Sequence, residues 1–77
     1  GELLSELERL GLRERTLVLF ASDNGPDPLI APRFNHDLRG TKYTVNEGGI
    51  RVPFVMSQPG TISPGRTPHV VNFTDVL

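Results

Sequence analysis

No cysteine occurs in the sequence, which excludes a disulfide, a thiolate zinc site and a thiol nucleophile from it. There is no excess charge of either sign. Eight basic against nine acidic residues leave a formal net charge of −1, so the bulk electrostatics of a nucleic-acid or polyanion binder are missing. No apolar run approaches the ~20 residues of a membrane-crossing helix, and no charged-then-apolar leader opens the chain. Internal repeats and low-complexity tracts are absent too. Size is the last shortage: 77 residues make at most one small domain. A chain of that order hides only roughly 60% of the surface its unfolded form exposes.

What is present is uneven. Residues 2–10 (ELLSELERL) put Leu3, Leu4, Leu7 and Leu10 on one face at helical spacing, and Gly11 stands where a left-handed residue ends a helix. After the polar link LRER comes TLVLFA, residues 16–21, apolar without alternation. A strand of that kind is buried on both faces, as in a parallel sheet between helical layers. Nearly all of the seven prolines and eight glycines follow residue 24. Residues 27–37 read as a loop, continued by LRGTKYTVNEGGIRVP with Gly40, Gly48 and Gly49 as punctuation. A second strand is predicted at 52–56, on an edge or starting just after Pro53. SQPGTISPGRTP is a further loop, and FTDVL starts a helix with Thr74 as its N-cap. One short helix and two short strands cannot cover both faces of residues 16–21 or pair all of that strand's backbone groups. The chain is therefore expected to be a piece of a larger α/β domain.

Two stretches carry possible chemistry. SDNG, residues 22–25, follows the first strand directly, and ligands in open α/β sheets gather beyond the carboxyl ends of strands. Asp23 and Asn24 offer hard oxygen donors suited to Ca²⁺ or Mg²⁺. The same residues are also good turn formers. Ca²⁺ takes about 6–8 oxygens, so two side chains would be part of a site only. In the second stretch, Arg39, Lys42 and Arg51 among glycines suit a tetrahedral oxyanion, or are solvated loop cations. His36 lies between the two stretches; His69 stands apart, and both are read more readily as surface than as acid or ligand. SQPGT and SPGR lack a local base and read as Pro-Gly turns.

TLVLFASDNG followed by LRGTKYTVNEGGIRVPFVMSQPG resembles the sulfatase family of the alkaline-phosphatase-like superfamily. The family pattern is a strand ending in S-D-N-G, then L-R-G-x-K-x-x-x-x-E-G-G-x-R-V-P-F and a W-P-G-like turn. The preceding helix and NFTDVL also look like the family's, so the likeness covers residues 1–77 as a partial catalytic domain. It implies an alkaline-phosphatase-like α/β fold, with a mostly parallel central sheet flanked by helices. It also implies hydrolysis of a sulfate ester, beside the absence of a nucleic-acid partner or membrane segment expected from charge and hydropathy. By the same resemblance Asp23 and Asn24 are ligands of one Ca²⁺ (Mg²⁺ in some members). Lys42 binds the substrate sulfate as a catalytic group, and Glu47, Gly48, Gly49 and Arg51 shape the loop behind it. The family's nucleophile is a formylglycine hydrate made from cysteine or serine in C/S-x-P-x-R. That motif is absent here, because Thr61 stands where SQPGT would need arginine. The segment alone is thus expected to be inactive and to need the rest of the catalytic domain as its partner. The rivals are a phosphonate or phosphate ester hydrolase of the same superfamily and a non-catalytic homologue binding an anion or a protein.

Overall fold

The structure is a computed structural model that describes residues 1–30 and 34–76. Ala31, Pro32 and Arg33 of the predicted loop, and Leu77 of FTDVL, lie outside the described residues. The leucine periodicity gives helix α1, Glu2–Arg9, followed by Leu10 in the right-handed region and Gly11 at φ 66°. Within it the Arg9 guanidinium grips Glu6 at 2.6 Å and holds that carboxyl below its ordinary range. The pair is exposed and adds little. Leu4 and Leu7 are half-buried, but Leu3 remains 67% exposed, because among the described elements it is the 3-10 turn Arg13–Arg15 alone that packs against α1.

Strand β1 is Val18–Ala21, shorter than the apolar run, and strand β2 is Phe54–Ser57. The second strand begins after Pro53, where the missing N–H no longer interrupts a ladder. The two pair antiparallel, Val18 opposite Ser57 and Ala21 opposite Phe54, and no third strand joins them among the described residues. The parallel pairing expected for β1 is thus not the pairing it makes here. The neighbour that the chain supplies runs the other way.

Arg13 locks the far end of this ribbon. Its guanidinium donates to the Thr16 carbonyl (3.4 Å), the Ser57 carbonyl (3.2 Å) and the Ser57 hydroxyl, while Gln58 Nε2 donates to the Glu14 carbonyl at 3.0 Å. A planar guanidinium presents its donors in a fixed fork that bridges these acceptors, a geometry an ammonium does not hold. Arg13→Lys is expected to lower stability by about 1–2 kcal/mol in a urea titration; an unchanged midpoint would show that the fork is idle.

No apolar side chain is buried among the described residues, so the predicted double-faced burial of β1 is not realised within this chain. Phe20 is 66% exposed. The buried positions among the described residues are instead three glycines: Gly25, Gly48 and Gly49. The final segment corrects a second expectation. The 3-10 turn Phe73–Val76 is capped by Asn72 rather than Thr74. Asn72 Oδ1 accepts the Thr74 N–H at 3.2 Å, and Asp75 returns a bond to the Asn72 N–H at 2.7 Å. This is a reciprocal box of the kind that starts helices.

Candidate functional site

SDNG leaves the end of β1 and is held by groups other than its carboxylate. The Ser22 N–H donates to the Pro53 carbonyl at 3.2 Å, and the Ser22 hydroxyl to the Asn24 carbonyl at 2.8 Å. Asn24 Nδ2 donates to the Gly25 carbonyl at 2.9 Å. That engages the amide nitrogen and leaves Oδ1 without a hydrogen bond among the described residues. Asp23 is exposed, and its carboxylate accepts no hydrogen bond there either. Turn chemistry is therefore present, but Ser22 and the Asn24 nitrogen supply it. Two hard oxygen donors on successive residues accept no hydrogen bond among the described residues. This donor set fits a Ca²⁺ or Mg²⁺ ion in kind, and needs further oxygens to fit it in number. No cluster of three or more His, Cys, Asp or Glu completes it among the described residues.

The second stretch is not all loop. Glu47–Ile50 forms a single helical turn, α2, with Asn46 before it in extended conformation. Asn preceding Glu-Gly-Gly was a readable helix-start signal that the glycines obscured. Glu47 and Arg51 pair across this turn at 2.8 Å. The two glycines of α2 bring the stretches together. The Gly25 N–H donates to the Gly49 carbonyl at 2.8 Å, and the Gly48 N–H to the Arg39 carbonyl at 2.7 Å. A Cβ on Gly25 would run into the Gly48 carbonyl oxygen and stand 2.9 Å from the Gly49 Cα. One on Gly48 would meet the Gly40 and Arg39 carbonyls, and one on Gly49 the Thr41 and Thr44 carbonyls. The three are glycine because main chain packs directly on main chain.

Lys42 joins the same assembly through its backbone, donating its N–H to the Pro26 carbonyl at 3.0 Å. Its ammonium lies 5.2 Å from the centroid of the Tyr43 ring. Of the three cations, then, Arg51 is tied to Glu47, Lys42 rests on Tyr43, and the Arg39 side chain is exposed. Asn24 also borders a cavity of about 600 Å³, walled by Ser22, Phe34, His36, Leu38, Arg51 and Pro53 among others; Asp23 and Lys42 are outside its lining. Phe34 and His36 meet edge to face at 5.7 Å on that wall. Asn35 braces them, its Nδ2 donating to the carbonyls of Leu38 (2.8 Å) and Gly40 (3.1 Å). His69 lies apart from all of this, exposed. Nothing in the sequence pattern pointed to Tyr43, Phe34 or Asn35. Their roles come from turn geometry that only the backbone path reveals.

Comparison with known proteins gives a consistent answer. The family model described as Sulfatase matches residues 1–77. Human arylsulfatase A is 40% identical over 79 residues, an alignment covering 100% of this chain and 16% of the relative. A sulfatase of Formosa agariphila is 45% identical over 72 residues, 87% of this chain and 13% of the relative. An N-acetylgalactosamine-6-O-sulfatase of Bacteroides thetaiotaomicron is 30% identical over 88 residues, covering 100% and 17%. The chain thus spans less than a fifth of the length of these relatives. No solved structure matches it significantly.

Proposed function

Because the chain belongs to the sulfatase family, whose fold is alkaline-phosphatase-like, we propose that it is a segment of a sulfuric ester hydrolase's catalytic domain. The segment supplies two metal ligands and one sulfate-binding group. Asp23 would hold the cation through its carboxylate and Asn24 through its side-chain oxygen. Ca²⁺ (or Mg²⁺), when bound, would supply Lewis-acid stabilisation of the sulfate group. Lys42 donates to a sulfate oxygen and offsets the negative charge that builds as the ester bond breaks. The formylglycine nucleophile and the remaining ligands come from outside residues 1–77, so the segment alone turns over no ester. In the whole domain β1 and β2 take their places in a mostly parallel sheet flanked by helices, which covers the faces left open here.

One observation carries this reading: the Lys42 N–H bonds to the Pro26 carbonyl, two positions beyond Asn24, so the S-D-N-G and L-R-G-x-K motifs form one backbone unit. The test is Asp23→Ala in the full-length enzyme, with bound metal counted by mass spectrometry beside hydrolysis of an aryl sulfate. Calcium is expected to be lost, and turnover to fall about 100-fold or more, several kcal/mol of charge stabilisation having gone. A variant that keeps both its metal and its rate would overturn the assignment.

A further inference from the structure

We propose that Tyr43 is a positioning residue for Lys42, its ring holding the ammonium where a sulfate oxygen meets it. The inference rests on the sulfate-binding reading of Lys42 above.

Lys42 and Tyr43 are the central residues of a four-residue turn closed by the Thr44 N–H on the Thr41 carbonyl at 3.1 Å. Tyr43 has φ 74°, the value a type II turn demands at its third position, where glycine is the usual occupant. His36 and Asp37 also have positive φ, but those residue types tolerate it. A tyrosine does not, so something must favour it here over glycine.

The turn itself does not need the ring. The Thr44 hydroxyl donates to the Thr41 carbonyl at 2.8 Å and accepts the Thr41 N–H at 3.1 Å, and Pro26 anchors Lys42 from the neighbouring loop. Burial does not need it either, because Tyr43 is 84% exposed. The contact the ring does make is with Lys42, whose Nζ sits 5.2 Å from its centroid. A lysine stem has four rotatable carbons and wanders, whereas a cation over an aromatic face is held by the ring quadrupole. That attraction uses the charge and not the three N–H donors, which stay available to an oxyanion. The ring restrains the ammonium without occupying it.

The test uses the full-length enzyme, with inorganic sulfate as a competitive inhibitor and an aryl sulfate as substrate. Tyr43→Gly relieves the backbone, so its melting temperature is expected to stay level or rise. Its sulfate inhibition constant and KM are expected to rise about 3- to 30-fold, the loss of one cation–π contact. Tyr43→Phe keeps the face and should stay within about twofold of the parent. In a Lys42→Ala background Tyr43→Gly should change nothing further. Sulfate inhibition unaltered by Tyr43→Gly, or an effect that persists without Lys42, would overturn the proposal. So would a fall in melting temperature that tracks the loss of activity. If Lys42→Ala itself leaves hydrolysis intact, the reading of Lys42 fails and this inference fails with it. If Lys42→Ala abolishes hydrolysis while Tyr43→Gly is silent, only the role of Tyr43 is lost.

Discussion

Lys42→Ala is expected to lower the kcat/KM of the full-length enzyme about 10²- to 10³-fold, the magnitude seen when one donor to a developing oxyanion is removed. Stability should move far less. The side chain is half-buried and joins no ion pair among the described residues, and the bond to Pro26 is made by the backbone N–H, which alanine keeps. A change within about 0.5 kcal/mol is expected for a substitution of that kind. Lys42→Arg should recover only part of the loss, because the ammonium is a compact charge and the guanidinium a broad planar fork. Steady-state kinetics on an aryl sulfate, beside a thermal melt, separate the two effects. A variant that hydrolyses normally would remove Lys42 from the reaction, and one that melts early would make it a structural residue.

The second large effect is expected at a residue with no side chain. Gly25→Ala sets a methyl group against the Gly48 carbonyl oxygen, with the Gly48 carbon at 2.8 Å, and both are main-chain atoms that cannot swing aside. The Gly25–Gly49 bond must open, and a loss of about 3 kcal/mol is expected, at the upper end for overpacking. Bound calcium should fall with it, since Asn24 precedes the displaced residue. Gly65→Ala is the matching control: nothing lies within 4 Å of its Cβ, and it should be neutral. Equal melting temperatures for the two variants would mean that the backbones can part at little cost.

The legible parts of this chain were those with local causes. Four leucines at helical spacing gave α1, and Gly11 ended it at positive φ as a glycine there should. Pro53 marked the start of β2. What the sequence could not show were effects between distant residues. The apolar run 16–21 predicts burial, yet nothing among the described residues buries it, and Phe20 stays exposed. Gly48 and Gly49 read as punctuation, while their purpose is contact with Gly25, Arg39 and Thr41 across the fold. Tyr43 gave no warning, because its backbone conformation is set by Thr41 and Thr44. At the candidate site, the motifs singled out Asp23, Asn24 and Lys42. That Asn24 Oδ1 and the Asp23 carboxylate accept no hydrogen bond among the described residues needed the structure.

The glycine junction also couples the two motif stretches mechanically. Gly25 is fastened to Gly49 and Pro26 to Lys42, so a shift of either backbone carries the other with it. The backbones of Asn24 and Lys42 are thereby held in one register, and a strain applied at either end is felt at the other.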